Sequence, residues 1–309
     1  MSLMAAGVVL AAVGGDHLLG EPPARLHPVA LFGRLVGPLD RSWRAPRLVG
    51  SAAAVGLPLL AAGVVALAVW LAGDIAPLAG GVVAAVILFS AISLRLLCTT
   101  ASDVLEQTDT DLAGAREALL ALAGRDAADL SAAHVRSAAV ESAAENLSDG
   151  FVAPLVGFGI AVVVAGWWFS LEATLAAATA AAAWIKAINT MDSMVGYPTK
   201  PVGWAAARLD DLVMWVPARL TALAISAAAL SPDPLVTGRR WARIPASPNA
   251  GWPMATLAAA LGVRLEKSGH YTLNSVAALP TTAAGHRGVA IVRRAGWLTA
   301  LTTVVIVGV

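Results

Sequence analysis

The sequence predicts an all-α protein, a polytopic membrane helical bundle with a cytoplasmic helical insert and loops, and three observations carry that prediction. Of the 309 residues, 58% are hydrophobic and only 13% charged, and the mean hydropathy is +0.74. A soluble domain of ordinary composition carries about 25% charged residues, so the missing charge is accounted for by lipid and not by a larger core. Apolar runs of about the 20 residues that a bilayer core requires recur along the chain. These runs are rich in Ala and Leu and lack the short alternating segments of a transmembrane barrel. The formal net charge of +1 offers no basic surface for nucleic acid, so no such partner is expected. The single cysteine, Cys98, can form no internal disulfide and reads as a small packing residue.

Taken in order, residues 3–15 form a short apolar first helix, without the basic leader of a signal peptide. The stretch from Asp16 to Val29 is too rich in Pro and Gly to continue it, and Pro28 holds His27 extended near Asp16 and Glu21. A solitary loop His is ordinarily just polar, although its imidazole also suits acid, base or ligand chemistry. Arg25, Arg34, Arg41, Arg44 and Arg47 place the next loop in the cytoplasm by the positive-inside rule. Spans at 49–73 and 78–97 then leave and return. Residues 98–150 form a cytoplasmic insert, in which charges alternate with Ala and Leu at helical spacing and Gly124-Arg125-Asp126 divides two amphipathic helices. Spans at 151–170 and 172–188 make a hydrophobic hairpin with Trp167, Trp168 and Phe169 at its tip, where interfacial aromatics belong. Residues 189–287 read as cytoplasmic or re-entrant, because Leu220 to Leu230 is too short to cross. The last span is 288–309, and the whole chain reads as one integral membrane domain.

The chemistry gathers at the mouth of the hairpin. Before it stands Glu141-Ser-Ala-Ala-Glu145-Asn146-Leu-Ser-Asp149-Gly150, and after it Asn189-Thr-Met-Asp192-Ser193-Met-Val-Gly196-Tyr197. Both contain Asn-x-x-Asp, which on a helix sets amide and carboxylate on one face. Glu141, Glu145 and Asp149 add an acidic stripe. A lone acid here could be a solvated helix-end charge, but two matched clusters of carboxylates beside a low-dielectric slab call for a cation. Magnesium carrying phosphate oxygens fits, since it takes one or two carboxylates and keeps other positions for water or nucleotide. Further on, Arg208 and Asp211 are i, i+3 partners that make either a surface ion pair or, with Asp210 and Arg219, a metal and phosphate site. Ser247-Pro248-Asn249-Ala250-Gly251-Trp252-Pro253 makes either a turn with an aromatic plug or a grip on a ligand.

These motifs, together with His27-Pro28-Val29, Ala207-Arg208-Leu-Asp210-Asp211 and Pro217-Ala-Arg219-Leu220, resemble the CobD/CbiB family of cobalamin biosynthesis, in the family's order and over nearly the whole chain. The resemblance implies an adenosylcobinamide-phosphate synthase. This is an ATP- and magnesium-dependent ligase of the bacterial cytoplasmic (inner) membrane, which joins aminopropanol phosphate, or a related amino alcohol, to adenosylcobyric acid. Partners implied are the corrinoid, the amino alcohol phosphate, the lipid bilayer and other late cobalamin-assembly membrane enzymes. Departures from the family pattern fall at Glu21, Met214, Met254 and Glu266-Lys267-Ser268.

Under that resemblance, with the active site on the cytoplasmic side, Glu145, Asp149, Asp192 and Asp210 are the expected metal ligands. Glu141 belongs to the same acid set, and His27 is the candidate base for the incoming ammonium. Lys186, Asn189, Arg208, Asp211 and Arg219 are expected to bind the nucleotide. Asn146, Tyr197, Asn249 and Trp252 are expected to bind substrate. No P-loop occurs, so nucleotide binding falls to these groups. The rival readings are a magnesium-dependent membrane prenyltransferase, which needs a long apolar tunnel, an AmpE-like non-catalytic signalling protein, and a transporter, which the few charges inside the spans disfavour.

Overall fold

The computed structural model describes residues 2–123 and 127–309. Along the chain the helices are α1 (Ser2–Leu19), α2 (Pro28–Val36), α3 (Pro46–Ile75), α4 (Pro77–Ala91), α5 (Arg95–Thr110), α6 (Leu112–Ala123), α7 (Ala132–Leu147), α8 (Ala153–Ala165), α9 (Leu171–Val195), α10 (Trp204–Val213), α11 (Trp215–Ala228), α12 (Asp233–Gly238), α13 (Gly251–Leu261) and α14 (Thr282–Gly308). A small antiparallel hairpin, β1 (Leu265–Lys267) with β2 (Tyr271–Leu273), precedes α14 and pairs Glu266 with Thr272. The all-α reading holds with that one addition.

Among the described residues, five helical stretches are long and apolar enough to cross a membrane: Pro46–Ile75, Pro77–Thr110, Ala132–Ala165, Leu171–Val195 and Thr282–Gly308. A broken pair, Pro201–Val213 with Trp215–Ala228, makes six if it counts as one span, while the apolar helix over Leu3–Leu19 is shorter. In α3 the apolar window is only 17% buried, and Leu59, Leu60, Val64 and Leu67 face outward. Such a continuous apolar exterior has lipid as its natural solvent.

The chain divides into two compact units. Unit 1 comprises Met1–Ser93, Asp149–Met214 and Ala300–Val309. Its central element is α9, which packs against α2, α3, α4, α8 and α10. Ser170 caps the start of α9 by accepting from the Ala173 amide at 3.4 Å. The α8–α9 turn leaves Trp167, Trp168 and Phe169 exposed, which suits an aromatic belt. The polar end of the second motif does not end the helix, because α9 runs to Val195. Thr190 and Ser193 donate their hydroxyls to the carbonyls of Lys186 (2.7 Å) and Asn189 (2.9 Å), so these side chains are satisfied inside the helix. On α3, Gly50 lies against the main chain at Val202, where an added Cβ would collide with the Val202 carbonyl.

Unit 2 comprises Leu94–Ser148 and Trp215–Thr299. Here α7 packs against α5, α6, α13 and β1, and α13 against α11 and α12. Among the described residues the insert holds three helices, because Asp111 interrupts it and caps α6 by accepting from the Gly114 amide at 3.0 Å. The expected break at Gly124-Arg125-Asp126 lies outside the described residues.

Because backbone cannot move aside as a side chain can, Gly50→Ala is expected to lower the unfolding free energy by about 1–3 kcal/mol. Gly56→Ala, on the same helix with nothing within 4 Å, is expected to be neutral or stabilising by up to about 1 kcal/mol. Unfolding of the two variants in one detergent checks the contrast in sign.

Candidate functional site

The two Asn-x-x-Asp motifs diverge in what their amides do. Ser148–Val152 forms a π-helical turn, a distortion that recurs at functional sites because it re-aims side chains. Asp149 sits in that turn, and the Asn189 amide donates to its Oδ2 at 3.1 Å, joining the first motif to α9 within unit 1. The same amide is within hydrogen-bonding reach of Asp210 on α10. Asp210 also feels the charges of Asp149, Asp192 and Asp211, yet its Oδ1 is buried with no hydrogen-bond partner. A cluster of carboxylates around an unsatisfied oxygen is costly unless a cation or a donor completes it. Asp192 lies over Gly196, where a Cβ would collide with its Oδ1. That close approach gives the glycine after the motif a physical reason.

Lys186, one turn before Asn189, has Asp149 and then Glu21 as its electrostatic neighbours. His27 reaches the same group from α2. Its Nδ1 accepts from the Val29 amide at 3.2 Å, capping α2, and its Nε2 stands 3.6 Å from Glu21. A neutral ring in that arrangement carries its proton on Nε2, so base catalysis through Nδ1 would break the cap. Arg208 pairs with Asp211 at 3.4 Å and is otherwise exposed. Tyr197 is 49% exposed, with the Lys200 ammonium 5.2 Å from its ring centre.

In unit 2, Glu141 is 1% exposed and both its oxygens are occupied. Ser137 donates to Oε1 at 3.1 Å and the Tyr271 hydroxyl to Oε2 at 3.0 Å. The Ser137 hydroxyl in turn accepts from the Glu266 amide at 2.8 Å, which ties α7 to β1. Tyr271 also lies 3.6 Å from the Met254 sulfur. Glu145 is half-buried on the last turn of α7, and Asn146 donates to the Leu122 carbonyl at 2.9 Å. A second polar centre forms around Arg219 on α11. It donates to Asn249 Oδ1 at 2.6 Å and to the carbonyls of Trp215 and Pro248. Its guanidinium also lies over the rings of Trp215 (4.5 Å) and Trp252 (5.0 Å). Trp252 is therefore an aromatic lid on Arg219, and Ser247 shapes the loop by accepting from the Asn249 and Ala250 amides.

The expected residues thus divide between the units. Lys186, Asn189, Asp149, Asp192, Asp210 and Asp211 come together in unit 1, while Arg219, Asn249 and Trp252 come together in unit 2. Glu141, Glu145 and Asn146 belong to unit 2. Ser137 and Tyr271 were not legible as site residues: Ser137 is one helical turn from Glu141, but Tyr271 comes from 130 positions away. Among the described residues no three His, Cys, Asp or Glu side chains are already drawn together to hold a metal ion. Magnesium asks for less, one or two carboxylates with water completing its shell, and the bare Asp210 oxygen beside Asp149 and Asp192 fits that demand.

A family profile described as "CobD/Cbib protein" matches residues 9–299. The chain is 34% identical to a "Probable cobalamin biosynthesis protein CobD" of Methanothrix thermoacetophila, over 95% of this chain and 94% of the relative. It is 38% identical to the "Cobalamin biosynthesis protein CobD" of Rhodobacter capsulatus, over 94% and 93%. To the protein of that name from Geobacter metallireducens it is 41% identical, over 84% and 81%. No solved structure matches the chain.

Tyr271→Phe removes the donor to Glu141 Oε2 and leaves a buried carboxylate short of a partner. It is expected to destabilise the protein by about 1–3 kcal/mol, read as a lower midpoint in thermal unfolding at constant detergent.

Proposed function

Because the chain belongs to the CobD/CbiB family, and so to the enzymes of cobalamin assembly, we propose that it is the ligase that joins an amino alcohol phosphate, aminopropanol phosphate or a close relative, to the free carboxyl of adenosylcobyric acid at the expense of ATP. The observation that carries this reading is the acid cluster of unit 1, with Asn189 bridging Asp149 and Asp210 and one Asp210 oxygen unsatisfied.

A carboxylate resists an amine because its carbon is weakly electrophilic and oxide is not a leaving group. Transfer of the γ-phosphoryl of ATP to the corrinoid carboxylate gives an acyl phosphate and ADP. The amine then attacks the acyl carbon, phosphate departs with the C–O bond, and the nitrogen loses a proton. Catalysis of both steps is mainly alignment and neutralisation of negative charge. Asp210, with Asp149 or Asp192, would hold magnesium, and the ion would neutralise the phosphate oxygens. The Asn189 amide orients Asp149 and Asp210 by hydrogen bonding to them. Lys186 supplies a cation beside Asp149, and Arg208 and Asp211 flank the cluster on the exposed face of α10.

Arg219, locked by Asn249 and two indole rings, is proposed as a phosphate counter-charge that needs no reorganisation on binding. Asn249, Trp252, Tyr197 and Asn146 are proposed for substrate contact. Since Nδ1 of His27 is engaged as a cap, we assign His27 to holding Glu21 beside Lys186, leaving removal of the ammonium proton to water or a carboxylate. The run of arginines from Arg25 to Arg47 supports the inner membrane, with this chemistry on its cytoplasmic face.

ADP release from proteoliposomes given ATP, magnesium, adenosylcobyric acid and aminopropanol phosphate is the test. Asp149→Asn and Asp210→Asn keep size and hydrogen bonding but lose charge, and each is expected to cut the rate roughly 100-fold or more without changing the unfolding midpoint downward. Near-normal ADP release by both variants would remove the acid cluster from the chemistry. Absence of ADP with the intact protein would remove the ligase reading.

A further inference from the structure

A cavity of about 650 Å³ opens in unit 2, lined by Arg219, Arg239, Arg240 and Trp252 together with apolar side chains that include Leu223 and Val236. Three guanidinium groups around one cavity repel each other, and Arg243 adds a further positive charge near Arg219. The three lining arginines are not equivalent. Arg219 has its donors engaged by Asn249 and two carbonyls. Arg239 and Arg240 are exposed, and among the described residues neither belongs to an ion pair. Their planar forks are therefore available, while Arg219 forms a fixed floor. The Trp252 ring on the same wall carries a buried indole N–H with no partner. Beside the cations, Leu223 is 49% and Val236 64% exposed, so the cavity pairs a cationic end with an apolar wall.

We infer that this cavity binds a phosphate group carried on an apolar or aromatic body, with Arg239 and Arg240 as the paired ligands of the phosphate oxygens. Arginine forks match phosphate geometry with two parallel donors each, and the apolar wall takes what the phosphate is attached to. The inference does not rest on the ligase reading, because ADP formation could fail while phosphate still binds.

The chemistry admits two sources, a free phosphate compound or the headgroup of an anionic lipid, and two arms separate them. In the first, inorganic pyrophosphate is titrated calorimetrically into the full-length protein in a zwitterionic detergent. In the second, the protein is reconstituted in phosphatidylcholine nanodiscs with and without phosphatidylglycerol, and retained phosphatidylglycerol is counted by native mass spectrometry. Each arm compares the wild type with Arg239→Gln/Arg240→Gln and with Arg239→Lys/Arg240→Lys. The glutamine pair is expected to weaken one of the two ligands roughly tenfold or more, and the lysine pair to retain part of the binding, since it keeps charge but loses the fork. Loss in the first arm assigns a free phosphate, and loss in the second assigns a lipid headgroup. Binding of both probes unchanged in the glutamine pair, or of neither probe by the wild type, overturns the inference. Both positions are exposed, so an unchanged unfolding midpoint is expected to accompany the loss.

Discussion

A carboxylate taken out of water must be given a donor or a cation, or it weakens the fold that buries it. In unit 1 that demand falls on the Asn189 amide, 3.1 Å from Asp149 and within reach of Asp210. The rest of the unit follows from serving it. α9 has to continue as a helix past the end of its apolar run to place Asn189 and Asp192 on adjacent turns. Gly196 has to lack a side chain to clear the Asp192 carboxylate. The π turn at Ser148–Val152 carries the Asp149 carboxylate that this amide meets. One amide cannot saturate the group, and the buried Asp210 oxygen that it leaves over is the feature from which the functional proposal proceeds.

Unit 2 handles its buried charge differently. Glu141 receives two hydroxyl donors, one from its own helix and one from the β-hairpin, so it acts as a clasp between α7 and β2. Arg219 receives an amide oxygen, two carbonyls and two indole faces. Hydrogen bonds to charged groups are individually worth about 1.5–3 kcal/mol, so each centre fixes its local elements. A fully satisfied carboxylate such as Glu141 has little affinity to spare for a ligand. An arginine held this tightly offers a preorganised charge instead, and preorganisation is what electrostatic catalysis and anion binding both exploit.

Much of this was legible in the sequence because it follows from composition and short-range spacing. The apolar runs gave the membrane class and the hairpin, and Asn-x-x-Asp drew attention to Asn189, Asp149 and Asp192. What was not legible depends on long-range packing or on local competition for hydrogen bonds. Asn146 and Asn189 stand in matching motifs, yet one serves the Leu122 carbonyl and the other a carboxylate. Thr190 and Ser193 stay inside α9 by donating to the preceding turn, a pairing that spacing alone does not reveal. The extra break at Asp111 was in principle readable, as an Asp at a helix start is a favoured cap. The β-hairpin had a weak signal in Ser268-Gly269, where Gly269 adopts a positive φ of 75°. Its partner Tyr271 could not be tied to Glu141 without the fold.

The central claim is that Asn189 and Asp149 are energetically coupled, holding the two motifs together. A double-mutant cycle on Asp149→Ala and Asn189→Ala, read as unfolding free energy in a single detergent, tests it most directly. The expected result is a coupling of about 1.5–3 kcal/mol, as for a hydrogen bond to a charged group. Effects that add to within about 0.5 kcal/mol would contradict it.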